Sequence, residues 1–277
     1  MRDAAIASMA CPRCRGAVVV EGGSLRCPAG HTFDVARAGY VSMLTGTGAG
    51  AAADSAAMVA ARRRSLAAGQ LRPVTDILVV AARESTVGGL VVDIGGGTGH
   101  HLAAVLDALP QADGLVVDLS RAAARVAARA HPRMSAAVSD VREGLPLRDG
   151  SVSLLLDVFA PRAGAEMRRV LRPDGTLLVI TPAPTHLVEL RDVPGMLRVD
   201  SDKQERLERS LGTWFRLRER RAVEWLMTLD RAEVRDIVLM GPSAHHVDAD
   251  RLDETLAAFL EPIVVTGAVD LSTWLPI

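Results

Sequence analysis

Val-Val-Asp-Ile-Gly-Gly-Gly-Thr-Gly, residues 91–99, joins an apolar run to a turn rich in glycine. The pattern predicts a buried strand, a tight turn and a following helix. Glycines without Cβ atoms let the backbone press against a nucleotide-like ligand. The dinucleotide fingerprint would require glycines at positions 95, 97 and 100, but His100 stands at the last of them. The alternative is a turn that only packs the helix onto the strand; the context favours a cofactor.

Short apolar runs alternate with helical patterns from residue 88 onward. Alternation of this kind predicts an α/β fold with a parallel, doubly wound, Rossmann-like sheet. The predicted strands are 90–94, 114–118, 135–138, 152–158 and 175–180, with helices at 100–109, 120–130 and 163–171. A strand at 215–229, helices near 230–240 and 249–260, and an antiparallel seventh strand at 261–269 complete the prediction.

Polar residues follow the predicted strands, where ligands of such sheets bind. Asp93 and Asp118 end the first two strands, and the Asp118 carboxylate is placed to accept hydrogen bonds from both hydroxyls of a ribose. Asp140 and Val141 follow the third strand, where methyltransferases, which the glycine motif resembles, hold adenine; a helix cap is the alternative for Asp140. Asp157 ends the fourth strand. These positions predict a cofactor site along one edge of the sheet.

Aromatic and imidazole side chains lie near the same edge. The glycine motif resembles the first motif of methyltransferases, and these enzymes hold the accepting base after the fourth strand. The resemblance makes Phe159 a candidate to stack on that base, and filling the core is the alternative. His100 and His101 open the helix after the glycine turn as cofactor contacts or surface histidines. Pro182 and Pro184 predict an extended turn before a helix opened by His186, which aims its imidazole at the cleft.

The three cysteines fall near the start of the chain, in Cys11-Pro-Arg-Cys14 and Cys27-Pro-Ala-Gly-His31. Two knuckles of this spacing predict a tetrahedral zinc site with three thiolates and one imidazole, closed to water and therefore structural. A redox Cys-x-x-Cys with a bystander histidine is the alternative. A disulfide would leave one of the three cysteines unpaired.

Aromatic and basic residues follow the metal ligands. Phe33 and Tyr40, near Arg37, are candidates for the small core of the zinc module, for stacking on RNA bases, or for both. Residues 45–57 predict a linker that ends in a helix cap at Asp54 or Ser55. The arginine run that begins at Arg62 is a phosphate-contacting face or a solvated one.

The whole chain has 277 residues, 49% of them hydrophobic and 23% charged, with a net charge of −1. This composition predicts a folded protein of the cytoplasm and argues against a uniformly basic nucleic-acid binder. No apolar run approaches the roughly 18 residues that a membrane span needs, and residues 1–10 lack a signal-peptide pattern. Lys203 is the only lysine, so arginine carries nearly all of the positive charge.

The glycine motif resembles the first motif of S-adenosylmethionine-dependent methyltransferases. Nearly the full chain resembles the zinc-containing rRNA guanine-N1 methyltransferases of the RlmA type. Within that family it is similar to the Gram-positive branch, which includes the tylosin-resistance enzyme. No single motif carries the resemblance, but their order does. The motifs are Cys11-x2-Cys14-x12-Cys27-x3-His31, Phe33-Asp34 to Gly39-Tyr40-Val41, Asp54-x3-Met58-Val59-x-Ala61-Arg62, Asp93 to His101, Phe159-Ala-Pro161, Leu171-Arg-Pro-x-Gly175, His186-Leu-x-Glu189-Leu190 and Met240-Gly-Pro-Ser243.

The resemblance implies a class I methyltransferase fold with a small N-terminal zinc-binding module. It implies methyl transfer from S-adenosylmethionine to N1 of a guanine in a hairpin loop of 23S rRNA that lines the peptide exit tunnel, where macrolides bind, and it implies a homodimer. The implied domains are a zinc-binding, RNA-recognising module at 1–44, a linker and helix at 45–70, and the methyltransferase domain at 71–277.

The predicted cofactor site combines the residues of the motif with those of the resemblance: Leu71, Asp93, Gly95, Gly97, Thr98, Gly99, His100, Asp118, Asp140, Val141 and His186. Leu71 stands where some members have an aromatic residue, which puts stacking there in doubt. The predicted RNA contacts are Phe33, Tyr40, Arg62 and Phe159. No clear general base emerges for the guanine N1 proton; Asp157 and His186 are the candidates.

Two other functions stay open at this stage. One is a small-molecule methyltransferase of secondary metabolism in which the zinc module serves as a dimerisation or lid element, since the fold alone does not exclude it. The other is a non-enzymatic, zinc-dependent rRNA-binding protein. The zinc knuckles and the arginine run favour RNA, and the intact glycine motif with Asp118 favours an enzyme. Which guanine is chosen, and whether drug resistance follows, does not emerge from the sequence.

Overall fold

The computed structural model describes residues 1–45, 53–86, 88–196 and 203–277. The predicted linker at 45–57 thus falls in large part outside the described residues. The strands are β1 (Val19–Glu21), β2 (Ser24–Arg26), β3 (Thr32–Asp34), β4 (Tyr40–Ser42), β5 (Gly88–Ile94), β6 (Gln111–Asp118), β7 (Met134–Val138), β8 (Val152–Val158), β9 (Leu171–Pro182), β10 (Phe215–Leu229) and β11 (Ile263–Pro276). The α-helices are α1 (Asp3–Ser8), α2 (Ala56–Ala67), α3 (Arg72–Ser85), α4 (His100–Ala108), α5 (Arg121–Ala127), α6 (Gly164–Val170), α7 (Lys203–Leu211), α8 (Arg231–Leu239) and α9 (Ala249–Ala257).

An eight-stranded sheet in the order β10-β11-β9-β8-β5-β6-β7-β4 forms the centre of the molecule. The neighbours from β4 to β9 run parallel, whereas β11 is antiparallel to both β9 and β10. This confirms the predicted doubly wound sheet. The final strand covers 263–276 rather than 261–269, because its pairing with β10 continues to Pro276.

The central strands are apolar on both faces because both faces are covered. Helices α3 and α4 pack on one face, where Val74, Leu78 and Leu102 lie in one core cluster with Val91 and Leu156. The opposite face is covered by the N-terminal segment, α6 and α7. A third cluster joins α8 and α9 to the ends of β10 and β11.

The cysteine-containing segment packs against the main sheet as a layer of the same structure and is not a separately packed module. Strands β1, β2 and β3 form their own antiparallel sheet, and Leu25 and Phe33 from it share a core cluster with Val92 of the main sheet. Arg15 donates hydrogen bonds to the carbonyls of Leu145 and Leu147 at 3.0 and 3.1 Å. We call residues 9–34 the ribbon.

Strand β4 lies beyond the ribbon and pairs in parallel with β7 at the edge of the main sheet. The last residues of the predicted 1–44 module therefore belong to the larger sheet. Ser55 caps α2 by accepting a hydrogen bond from the Met58 N–H at 3.2 Å, so of the two predicted caps the structure uses Ser55. The division at 45–70 and 71–277 stays a prediction.

The prediction that His186 opens a helix is wrong. The chain makes a turn after β9, and only a short 3-10 helix follows at Val188–Leu190. Leu187 has a φ of +52°, in the left-handed region, which interrupts any α-helix that would begin at His186. In the part of the chain that the structure describes, no helix combines the length and apolarity that a membrane crossing requires.

Trp274, in β11, is 2% exposed and donates a hydrogen bond from its indole to Ser272 Oγ at 2.9 Å. Trp274→Ala is expected to lower the free energy of unfolding by about 3–5 kcal/mol, because it removes a large buried side chain and leaves a cavity. The matched variant Leu260→Ala, at a position 88% exposed, should change it by no more than about 0.5 kcal/mol. Urea unfolding of both variants measures the difference, and equal losses would contradict this view of the core.

Candidate functional site

The glycine turn connects β5 to α4 at the carboxyl end of the sheet. Gly95, Gly97 and Gly99 have φ values of +64°, +55° and +76°, a region that disfavours side chains. A Cβ on Gly95 would lie 2.7 Å from Cβ of Ala160, and one on Gly97 would lie 2.9 Å from Nη1 of Arg62. All three positions therefore favour glycine for backbone shape, and Ala160 also leaves no space for a side chain at Gly95.

Asp118 ends β6 beside this turn. Its carboxylate accepts hydrogen bonds from the Gly97 N–H at 2.9 Å and the Ser120 N–H at 2.7 Å. Burial raises the pKa of the Asp118 carboxyl, while these two hydrogen bonds act in the opposite direction. Each carboxylate oxygen has further lone pairs, so Asp118 can hold the turn and still accept from ribose hydroxyls.

Asp93 lies beneath the turn and is 1% exposed. Burial, followed by the charges of Asp118 and Asp157, raises the pKa of the Asp93 carboxyl well above its ordinary value. Neither carboxylate oxygen has a hydrogen-bond partner among the described residues. A buried carboxyl of this kind is matched by a ligand that brings a donor or a positive charge.

A cavity of about 430 Å³ opens above the turn, a size typical of sites for small ligands. Nine of the predicted residues line it: Arg62, Leu71, Asp93, Gly95, Gly97, Thr98, His100, Phe159 and His186. Five others, Gly99, Asp118, Asp140, Val141 and Asp157, do not line it. We call this cavity the cleft.

Asp140 and Val141 follow β7, next to the end of β6, as the sequence predicts. The Asp140 carboxylate is paired with Arg142 at 2.7 Å, which lowers the pKa of the carboxyl. Val141 is 8% exposed. Their part in adenine binding stays a prediction.

Phe159 and His186 lie at the other end of the cleft. The Phe159 ring is 41% exposed and stacks with the His186 imidazole at a centroid distance of 6.1 Å and an interplanar angle of 29°. Phe159 has a φ of +58°, an unusual backbone conformation for a phenylalanine, typical of strain held at functional sites. An exposed, oriented aromatic pair is suited to stacking on a planar ligand. We call it the aromatic pair.

The tautomer of His186 follows from its backbone contact. Its Nδ1 accepts a hydrogen bond from the Ala268 N–H at 3.1 Å. The proton of the neutral imidazole therefore lies on Nε2, which makes that atom a donor. Neutral His186 is thus suited to donate a hydrogen bond to a ligand rather than to remove a proton from it.

The Asp157 carboxylate lies behind the wall of the cleft. It is completely buried, pairs with Arg162 Nε at 3.1 Å and accepts a hydrogen bond from the Ala160 N–H at 3.2 Å. Arg162 itself lines the cleft. Of the two candidate general bases, neither presents a proton-accepting atom directly to the cleft in this conformation.

The two histidines of α4 stay neutral. Burial, together with His100 and Arg62, lowers the pKa of His101 to about 3, and its Nδ1 lies 2.9 Å from the Thr75 hydroxyl. Burial also lowers the pKa of His100. Both histidines line the cleft, so cofactor contact stays a prediction for each of them.

Two of the predicted RNA contacts lie away from the cleft. Phe33 is 7% exposed and packs in the core; of the two roles left open by the sequence, the structure shows the core one, and the expected stacking on RNA is not available to this ring. Tyr40 is half-buried at the sheet edge and packs against the other core cluster. Arg62 lies against the glycine turn instead of on a solvated face.

The sequence reasoning assigned no role to Arg162 or to Met240-Gly-Pro-Ser243, although all five residues line the cleft. Met240 follows α8, and its carbonyl accepts a hydrogen bond from Arg62 at 2.6 Å. The only signal in the sequence was that Met240 to Ser243 belong to the motif set of the resemblance.

The cysteines and the histidine of the ribbon converge as predicted. The ligand atoms of Cys11, Cys14, Cys27 and His31 all lie within 4.8 Å of one another. His31 Nδ1 is 3.5 Å from the Cys11 sulfur and 3.4 Å from the Cys27 sulfur, and the sulfurs of Cys14 and Cys27 are 3.6 Å apart. These separations match the edges of a tetrahedron with Zn–S bonds near 2.3 Å.

The electrostatics of Cys27 also suit a metal ligand. Burial opposes ionisation, but hydrogen bonds led by the His31 backbone lower the pKa of the Cys27 thiol to about 6. A thiolate is the form that binds zinc. The donor set therefore fits a closed, structural zinc site.

Comparison with known proteins agrees with this geometry. A family model for the RlmA N-terminal zinc ribbon matches residues 9–45, and one for a methyltransferase domain matches residues 91–175. Among solved structures, a chain in the complex of the Haloferax volcanii Trm112 methyltransferase activator with a provisionally named methyltransferase aligns with a TM-score of 0.51 at 20% identity, over 80% of this chain and 97% of that one. A provisionally named Bacillus halodurans methyltransferase has a TM-score of 0.50 at 16% identity, and the alignment covers 71% of this chain and 96% of that one.

The fold and the site thus define a class I methyltransferase with an N-terminal zinc ribbon. The 23S rRNA (guanine(748)-N(1))-methyltransferase of Streptomyces fradiae is 46% identical over 93% of this chain and 92% of its own. A Micromonospora griseorubida protein, provisionally named as a 23S rRNA (guanine-N1) methyltransferase, is 51% identical over 92% of this chain and 91% of its own. The chain belongs to the family of the 23S rRNA (guanine-N1)-methyltransferases.

The zinc site yields a simple test. His31→Ala should reduce zinc in the purified protein from about one ion per chain to a small fraction of that, because the tetrahedral set loses one ligand. His245→Ala, at an exposed histidine outside the cluster, should keep its zinc. Metal analysis of the two variants decides the point, and equal zinc contents would contradict the site.

Proposed function

We propose that this protein transfers a methyl group from S-adenosylmethionine to N1 of a guanine in a hairpin loop of 23S rRNA. The observation that carries the proposal is the continuity of the cleft, which runs from the glycine turn to the aromatic pair, Phe159 and His186. A site for a nucleotide-like cofactor and a platform for a planar base thus share one cavity. The family relationship supports the identity of both ligands.

The order of the strands arranges the proposed cofactor along the sheet edge. Strands β7, β6, β5 and β8 are consecutive neighbours, and they end at or lead into Asp140, Asp118, the glycine turn and Asp157. Adenine would lie near Asp140 and Val141, the ribose at Asp118, and the methionine portion on the glycine turn. Buried Asp93, with its unmatched oxygens, and the space kept free by the glycines both fit such a group.

The aromatic pair would hold the accepting guanine. When bound, S-adenosylmethionine supplies a methyl group on a sulfonium for in-line attack by a nucleophile. Stacking on Phe159 and a hydrogen bond from His186 Nε2 to the guanine O6 would fix the base in the plane that attack requires. The base would have to leave its stack in the RNA, as bases modified by enzymes generally do.

The protein's contribution to chemistry is then mainly the orientation of the two reactants in the cleft. His186 holds its Nδ1 on the backbone and Asp157 is engaged with Arg162, so neither accepts the N1 proton directly. We propose that water at the cleft accepts it, since proton transfer through one water molecule is an established route. Arg162, lining the cleft beside the aromatic pair, favours the negative charge that guanine gains when N1 is deprotonated.

The finer assignments follow from the same proposal. We propose that the target guanine lines the peptide exit tunnel, that its methylation lowers sensitivity to tylosin-type macrolides, and that the enzyme acts in the cytoplasm as a homodimer. The ribbon, rigid through zinc and packed on the main sheet, would add exposed basic side chains such as Arg13 and Arg26 to the RNA-binding surface.

Transfer of labelled methyl groups to deproteinised 23S rRNA tests the proposal directly. A methyl on N1 blocks Watson–Crick pairing, so reverse transcription should stop at one guanine of the tunnel-lining hairpin. Labelled rRNA without such a stop would overturn N1 as the target. Absence of RNA labelling by protein that binds the cofactor would instead favour a small-molecule acceptor.

Phe159→Ala tests the stacking platform. Loss of one base–aromatic contact, worth about 1–3 kcal/mol, should raise KM for the RNA or lower kcat/KM by about 5- to 150-fold. Affinity for S-adenosylhomocysteine should stay within about twofold, because the ring lies at the acceptor end of the cleft.

Leu226→Ala is the matched control for Phe159→Ala, since Leu226 is 69% exposed and does not line the cleft. It should leave both KM and cofactor affinity unchanged. An unchanged kcat/KM in Phe159→Ala would remove the aromatic pair from the substrate site.

A further inference from the structure

Arg62 on α2 occupies a position that the family relationship does not explain. Its guanidinium lies against Gly97, where a Cβ would come within 2.9 Å of Nη1. It pairs with Asp54 at 2.5 Å and donates to the Met240 carbonyl at 2.6 Å. Only 23% of the side chain is exposed. The guanidinium is therefore held in one orientation over the glycine turn.

The described arginines that line the cleft differ in what they can reach. Arg162 pairs with Asp157 at the acceptor end, and exposed Arg191 donates to the Pro184 carbonyl. Arg62 is the one of these three that lies on the glycine turn. A guanidinium has five N–H donors, so its bonds to Asp54 and Met240 leave donors for another partner.

The methionine portion of S-adenosylmethionine carries an α-carboxylate as well as an α-ammonium group. The Asp118 carboxylate is bonded to the Gly97 N–H. With the ribose at Asp118, the methionine portion would therefore extend over Gly96 and Gly97. A Cβ on Gly96 would come within 2.5 Å of an Asp93 oxygen. Successive glycines thus leave the backbone between an acidic group and a basic group, an arrangement complementary to an amino-acid zwitterion.

We propose that Arg62 binds the α-carboxylate of the cofactor, and that Asp54 and the Met240 carbonyl orient the guanidinium for it. Arginine presents two parallel N–H donors that match both oxygens of a carboxylate. This inference rests on the proposed function, that the cleft binds S-adenosylmethionine. It gives a role to Asp54 to Arg62 and to Met240, motif residues that the rest of the site leaves without one.

Arg64 provides a matched control on the same helix. It also ties α2 to α8, through two hydrogen bonds to Asp236 at 2.7 and 2.6 Å, but it does not line the cleft. Arg62→Gln and Arg64→Gln therefore each remove one charged tether between α2 and the α8 region. Only Arg62→Gln removes a group from the glycine turn.

The experiment measures binding of two compounds by titration calorimetry, with no RNA present. S-adenosylhomocysteine has the amino-acid portion, and 5′-methylthioadenosine lacks it. Arg62→Gln should raise the Kd for S-adenosylhomocysteine by about 10- to 100-fold, because a hydrogen bond to a charged group contributes a factor of this size to affinity. The same variant should change the Kd for 5′-methylthioadenosine by no more than about twofold. Arg64→Gln should leave the Kd values of both compounds unchanged.

Three outcomes would overturn the inference. Arg62→Gln could weaken the binding of both compounds equally, both variants could weaken the binding of S-adenosylhomocysteine equally, or Arg62→Gln could leave the binding of S-adenosylhomocysteine unchanged. Should Arg62→Gln fail to fold, Arg62→Lys makes the same comparison, because lysine keeps the charge but loses the two parallel donors. It should still weaken only S-adenosylhomocysteine. Wild-type protein that binds neither compound would overturn the proposed function itself, so the two failures are distinguishable.

Discussion

The close approach of the backbone at residues 95–99 to its surroundings is the constraint on which the site depends. The Gly97 N–H reaches the Asp118 carboxylate at 2.9 Å, and this bond joins the ends of β5 and β6. Gly95 lies so near Ala160 that a side chain would not fit. The turn is thereby locked to β6 on one side and to the segment after β8 on the other. The cleft, the start of α4 and the position of Arg62 all follow from this arrangement.

The ribbon contributes to the same framework from the opposite face of the sheet. Arg15 lies between the zinc knuckle and the carbonyls of Leu145 and Leu147, and Arg169 from α6 donates to those carbonyls too. The segment they hold follows Asp140 and Val141, the residues proposed to lie near adenine. The ribbon with its Cys/His cluster is therefore a layer that covers the sheet, so the proposed zinc site and the proposed cofactor site are parts of one packed structure.

The sequence predicted the features that local pattern controls and missed those that depend on packing between distant segments. The strand and glycine turn at 91–99, the Cys11 to His31 ligand set and the antiparallel last strand are each encoded in short runs, and the structure has them. The wall formed by Met240 depends on segments far apart in the chain, since its carbonyl meets Arg62 of α2. The helix expected at His186 failed because one residue, Leu187, adopts a left-handed conformation that no local pattern announces. The tautomer of His186 likewise follows from a contact with Ala268, 82 positions away.

Three aspartates beside the glycine turn favour a cationic ligand in the proposed cofactor site. Asp93, Asp118 and Asp157 lie at the ends of three adjacent strands, and burial, followed by the charges of Asp118 and Asp157, raises the pKa of the Asp93 carboxyl. A carboxyl with a raised pKa stabilises the fold only where it is protonated, and that stability is lost as the pH rises through the raised value. In the proposed complex, a sulfonium or ammonium group near Asp93 would offset this cost, and Arg62 would bind the carboxylate of the same ligand. A ligand that binds the folded site in this way would stabilise it, so binding and folding would be coupled through these few charges.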